Sequence, residues 1–156
     1  MMYKYTVFAI CAVISANSGA ANAQGNQFVG FSASLEESES LRPGQTIKYN
    51  NVITNAGNHY NRATGVFTAP RTAYYMFHIY AVSHGPTGFW LQLMYNGIPQ
   101  VSCSGDSKDT FAAGGNSVLL KVKAGGRVYV EALLASELYG HETQHYTTFT
   151  GQLSGL

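Results

Sequence analysis

The sequence predicts an all-β domain, a β-sandwich or jelly roll, on three observations. Apolar runs are short and rich in aromatic and β-branched residues, turn residues recur every eight to twelve positions, and no sustained helical period appears. The chain of 156 residues has room for one such domain. Residues 1–23 are expected to stand apart from it as a secretory signal peptide. Lys4 gives a positive start, Tyr5 to Ile14 a short apolar core, and Ala21-Asn22-Ala23 a small-x-small cleavage site. The folded domain is expected over residues 24–156, secreted and extracellular.

Phe28 to Leu35 reads as a half-buried strand, with Val29, Phe31, Ala33 and Leu35 on one side and Gly30, Ser32 and Ser34 on the other. Glu36 to Gly44 reads as a charged loop closed by Pro43-Gly44. Ile47 to Ile53 reads as a short strand pair interrupted at Asn50-Asn51. Asn58, Asn61, Thr64 and Gly65 then supply turn chemistry, and Val66 to Thr68 forms a strand that Pro70 stops. Ala73 to Val82 is the longest strand. Phe89 to Tyr95 and Ile98 to Ser104 form a hairpin around Asn96-Gly97, since both positions tolerate φ > 0. Gly105 to Asn116 reads as a polar, glycine-containing loop, and Ser117 to Val122 and Arg127 to Leu134 as strands. Glu131 to Tyr139 alone also fits a helix. Tyr146 to Leu153 closes the domain.

The long strand is apolar on both faces. Tyr75, Phe77, Ile79 and Ala81 alternate with Tyr74, Met76, His78, Tyr80 and Val82. An antiparallel strand with one wet face alternates apolar with polar, so both faces here need cover. The domain core supplies one. A neighbouring subunit is the expected cover of the other, through Tyr74, Met76, His78 and Tyr80.

Charge excludes two classes of partner. Nine Lys+Arg stand against eight Asp+Glu, and Lys4 leaves with the leader, so the mature chain has no net formal charge. No basic block able to grip phosphate backbones appears, so neither nucleic acid nor membrane insertion is expected. Of the two cysteines, Cys11 lies in the leader. Cys103 therefore has no intrachain partner, and reads as a buried small hydrophobe or an intermolecular bridge. No N-glycosylation sequon occurs.

These residues resemble a known pattern. Phe31-Ser32-Ala33, Tyr60-Asn61, Thr64-Gly65-x-Phe67-Thr68-Ala69-Pro70, Tyr75-x-Phe77 and Asn96-Gly97 fall in order. Leu119, Val128-x-Val130 and Phe149-Thr150-Gly151-x-Leu153 follow. Over Gln27 to Leu153 the chain is similar to the globular domain of the complement component 1q family. The resemblance implies a ten-stranded jelly roll of the tumour-necrosis-factor type assembled as a homotrimer, with the first, last and long central strands facing the threefold axis. It also implies a stalkless secreted protein of innate immunity, a lectin-like binder of carbohydrate or other repeating ligands on microbial surfaces. A matrix component or a cytokine-like receptor ligand is the alternative. Three positions depart from the pattern: Ala73 replaces a glycine, Thr150 a serine, and Gly126 an acidic residue that in some relatives helps hold calcium. Gly126 brings no carboxylate to a hard cation.

Candidate ligand-binding residues lie in the loops. Tyr139, His141 and Gln144 precede the last strand, Asn58 and His59 sit in the early turn, and Asp106 and Lys108 occupy the glycine-containing loop. An exposed ring stacks on the apolar face of a pyranose while amide and hydroxyl groups bind its hydroxyls. Trp90 opens a strand and is expected to pack. His141-Glu142-x-x-His145 has the zinc-peptidase spacing. Its context is wrong, because Gly140 precedes it and a strand follows. Only eleven residues come after His145, none of them a metal ligand. No nucleophile or second metal cluster points to an enzyme.

Overall fold

The structure is a computed structural model describing residues 28–106 and 111–155. The expected leader (1–23) and Lys108 lie outside the described residues. Two five-stranded antiparallel sheets pack face to face. The inner sheet runs β3 (Asn51–Ala56), β1 (Gly30–Ser34), β12 (Thr148–Gly155), β6 (Ala73–His84), β9 (Phe111–Val122). The outer sheet runs β4 (Tyr60–Asn61), β5 (Val66–Thr68), β10 (Arg127–Ala132), β7 (Phe89–Tyr95), β8 (Ile98–Gly105). These ten strands are the expected jelly roll. A two-stranded ribbon, β2 (Glu39–Leu41) with β11 (Ser136–Leu138), adds to it.

The residues that carry the family resemblance are the packing of the core. Phe31 stacks on Tyr60 at 4.6 Å between centroids and meets Phe149 edge-on at 4.8 Å. Phe67 meets Tyr75 and Phe77 edge-on at 5.4 and 5.6 Å. Such pairs add about 0.5–1.5 kcal/mol beyond the area they bury. Gly151 lies in register between Phe31 and Phe77. A Cβ there would stand 2.5 Å from the Phe31 ring and 2.7 Å from the Phe77 ring. The glycine is therefore a matter of space for two rings.

Four element assignments need correction. β9 begins at Phe111, so Phe111 to Asn116, expected in a loop, pair with β6 along its whole length. Ala112, Ala113, Gly114 and Gly115 have little strand preference of their own. The β6 ladder overrides that, and the Tyr80 ring covers Gly115, 2.7 Å from where a Cβ would be. Within Ile47 to Ile53 only the part from Asn51 is ladder strand. Ile47 and Tyr49 are buried in the core without belonging to a strand. The charged loop Glu36 to Gly44 contains β2, and the helix alternative at Glu131 to Tyr139 is instead the end of β10, a bend and β11. Ser34, expected on a wet side, is fully buried, its hydroxyl 2.9 Å from His145 Nδ1.

The assigned strand registers give the sandwich two distinct poles. β1 enters and β12 leaves at one pole, where Gly30 pairs with Gln152 and Ala56. At the other pole β6 ends at His84, opposite Phe111, and the 85–88 and 139–147 segments gather there. The first is the terminal pole and the second the free pole. Among the described residues no helix is long and apolar enough to cross a membrane.

Candidate functional site

The 139–147 segment at the free pole is held on several sides by its own backbone and buried hydroxyls. Tyr139 N donates to Val82 O at 2.7 Å, and the buried Thr147 hydroxyl donates to Tyr139 O at 2.7 Å. Gly140 N donates to Ser38 Oγ, His141 N to Leu35 O, and Asn51 Nδ2 to Glu142 O. A Cβ on Gly140 would lie 2.1 Å from Glu37 O. This close approach locks the segment against the β1–β2 connection.

On that platform four rings form one cluster. His84 lies 5.2 Å from Phe111 and 5.5 Å from Tyr139, Phe111 lies 5.6 Å from Tyr139, and Tyr139 lies 5.2 Å from Tyr146. Phe111 is 56% exposed and Tyr146 38%. The Tyr146 hydroxyl donates to Gln144 Oε1 at 2.6 Å, which sets an amide at the rim of the rings. Tyr139 and Gln144 thus belong to one surface, as expected from the sequence. His84, Phe111 and Tyr146 were not anticipated. Phe111 was hidden because it read as loop, and His84 because β6 runs two residues further than its apolar run.

The remaining candidates separate. Asn58 (φ 57°) and His59 sit in the turn after β3, at the opposite pole. The six residues of β3 put about 20 Å between them and the ring cluster. They share no site with Tyr139. Asp106 follows β8 at the free pole but faces the outer sheet. It lines a depression of about 290 Å³ with Trp90. Trp90, expected to pack, is 44% exposed, because its position in β7 points away from the core.

His141 and His145 bracket a single turn, with His145 N donating to His141 O at 3.3 Å and His145 at φ 48°. They do not sit on a helix. His141 Nδ1 faces the Thr143 N–H and hydroxyl, while His145 Nδ1 faces Ser34 and Asn51. The two imidazoles are committed to different neighbours, unlike a zinc-peptidase pair on one helix face. Among the described residues no group of three or more His, Cys, Asp or Glu could hold a metal ion. At the family's calcium position, Gly126 lies in the β9–β10 turn at the terminal pole. A Cβ there would stand 2.7 Å from Val122 and 2.8 Å from Lys123 O and the Tyr95 ring. The residues present do not fit a cation.

The outward face of the inner sheet is the second candidate surface. Tyr74, Met76, His78 and Tyr80 point outward beside Lys121, Leu119, Ser117 and Gly115 of β9. Tyr80 is 48% exposed and Leu119 51%. Across the middle runs a polar row whose groups satisfy each other. Ser32 Oγ lies 2.9 Å from Thr150 Oγ1, and His78 Nδ1 lies 2.8 Å from Ser117 Oγ. None of the five strands carries an aspartate or glutamate.

A jelly-roll sandwich with exposed rings at one pole and an apolar outer face has the build of a binding module. The comparisons narrow that class. The sequence profile of the C1q domain matches residues 30–154. The globular domain of zebrafish complement 1qA protein superposes with a TM-score of 0.68 at 22% identity, covering 80% of this chain and 96% of that one. Eiger TNF from S. frugiperda gives 0.65 at 14% identity, covering 83% and 94%. Murine APRIL at pH 5.0 gives 0.65 at 10% identity, covering 81% and 99%. At these identities the structural matches speak for the fold. The chain belongs to the C1q domain family. Domains of this class are in general non-enzymatic ligand-binding modules, typically of secreted proteins.

Proposed function

We propose that this chain is a secreted homotrimeric recognition protein whose free pole binds carbohydrate or another repeating ligand of microbial surfaces. The observation that carries the trimer is the outward face of β6 and β9. It is apolar at Tyr74, Met76, Tyr80 and Leu119, lacks carboxylates, and pairs Ser32 with Thr150 and His78 with Ser117 within the subunit, while Lys121, the single Lys or Arg of its five strands, sits over the Tyr74 ring. Depletion of acidic residues and exposure of aromatic and Met side chains mark interface cores. The free pole faces away from the point where β1 enters, so three copies about one axis would present three ring clusters together. Each cluster binds weakly, and three on one rigid particle raise avidity through effective concentration.

The test has two arms. Light scattering on purified protein reports the mass of the particle, with three chains expected. A glycan array run with and without calcium reports ligand, with binding expected in both conditions because the described residues bring together no group of three or more His, Cys, Asp or Glu for a cation. A trimer silent on every glycan overturns the lectin reading and leaves the cytokine-like or matrix role. A single-chain particle overturns the avidity mechanism.

A further inference from the structure

We infer that the depression beside Trp90 is a second binding site, on the flank of the outer sheet, that takes a single pyranose ring. It lies on the opposite layer of the sandwich from the face assigned to self-association, so it stays open whether or not that face is covered. Its construction begins with two glycines. Gly88 adopts φ 67°, and a Cβ on it would lie 2.4 Å from Gly105 O. A Cβ on Gly105 would lie 2.6 Å from the Phe89 ring. Only two residues without side chains let the start of β7 and the end of β8 approach this closely, and the approach sets Asp106 next to Trp90.

The indole is anchored through its backbone. Trp90 N donates to the buried Ser136 hydroxyl at 3.1 Å, and Leu133 N donates to Trp90 O at 2.8 Å. Trp90 pairs with Ser104 on β8, so that the exposed indole and a hydroxyl share one outward face. Thr87, Ser104, Asp106 and Leu134 also line the roughly 290 Å³ depression. Leu134 is 51% exposed.

The chemistry of this lining selects the occupant. An exposed indole offers a flat apolar face that matches the C–H face of a pyranose. A carboxylate accepts two hydrogen bonds from adjacent hydroxyls, and charge-assisted bonds are about twice as strong as neutral ones. The Thr87 and Ser104 hydroxyls can donate as well as accept. Asp106 disfavours an anionic headgroup, and the small volume disfavours an extended peptide. A neutral terminal hexose fits both constraints. The site is separate from the ring cluster at the pole, and the inference stands whether or not the pole binds sugar.

Trp90 is the chain's single tryptophan, so its emission reports the site directly. The full secreted protein would be titrated with methyl glycosides of mannose, galactose and N-acetylglucosamine, reading tryptophan emission and saturation-transfer NMR in parallel. At least one sugar is expected to give a saturable change in emission. Asp106→Ala should weaken its binding about tenfold or more, and Trp90→Ala, read by NMR, by a similar factor, while Trp90→Phe retains part of it. Phe111→Ser at the pole should leave the emission titration unchanged. Sugar binding that survives Asp106→Ala and Trp90→Ala but fails in Phe111→Ser overturns the flank site and supports the pole. Loss only in the flank variants does the reverse. No saturable signal with any sugar, from folded wild-type protein, overturns the flank site as well.

Discussion

At the scale of single residues, the core holds two polar groups whose burial sets measurable behaviour. The Tyr49 hydroxyl is fully buried, with no hydrogen-bond partner among the described residues. Burial raises its pKa well above the ordinary tyrosine value. A buried, unpaired hydroxyl costs about 1–3 kcal/mol, so Tyr49→Phe is expected to stabilise the domain by about 1 kcal/mol. Chemical denaturation should show a higher midpoint at unchanged slope. Cys103 lies in β8 opposite Leu91, buried, and burial pushes its thiol from 9.0 up to about 11. The folded chain therefore holds this proton more tightly than the unfolded one. Its contribution to stability is complete below about pH 9 and is lost as pH rises through about 11. Cys103→Ala should flatten the alkaline fall in Tm across that window. Native protein should resist thiol alkylation at neutral pH, where an exposed cysteine would react, and should run as a single chain on a non-reducing denaturing gel, where an interchain bridge would not. Cys103 is free among the described residues, which fits the sequence expectation of a leader that carries Cys11 away. The sequence alone does not say which face of β8 points inward, because that strand reads as mixed on both sides.

At the scale of elements, what was legible is what local pattern determines. The β6 alternation, the Asn96-Gly97 hairpin and the Phe-x-Gly-x-Leu close of β12 follow from side-chain period and turn chemistry, and each stands where expected. Asn96 (φ 49°) and Gly97 (φ 82°) both take the left-handed conformation such a two-residue hairpin needs. The first half of β9 was not legible, because alanines and glycines become strand only when a long neighbour supplies the ladder. The pole cluster was half legible for the same reason. Tyr139 and Gln144 lie in one loop, but His84, Phe111 and Tyr146 meet them only through the β6–β9 and β11–β12 geometry. Gly151 gives this scale its test. With Phe31 and Phe77 in register on either side, Gly151→Ala overpacks the centre of the inner sheet. A cost of about 1–3 kcal/mol is expected. Thermal unfolding would read it as a drop of several degrees, and an unchanged Tm would mean that the rings have slack the geometry does not suggest.

At the scale of the whole molecule, the five strands of one layer of the sandwich are free of carboxylates, while the other layer carries Glu131 in β10. Solubility alone gives no reason to clear acidic residues from five strands and leave Tyr74, Met76, Tyr80 and Leu119 facing water. Self-association does, since every carboxylate placed there would have to be dried three times over in a trimer. Met76→Asp and Tyr80→Asp reverse that economy. Each adds three charges around one axis, and burying an unpaired carboxylate costs several kcal/mol even after relaxation. Both side chains point away from the core, so the monomer should keep its fold and its circular dichroism. The particle mass should fall from three chains to one. Binding to a dense glycan surface should then drop by about 10²–10⁴, the avidity contributed by linked sites, while affinity for a soluble monosaccharide stays unchanged. A variant that remains trimeric would place the subunit contact elsewhere. A variant that turns monomeric yet binds the surface as before would mean that a single head suffices.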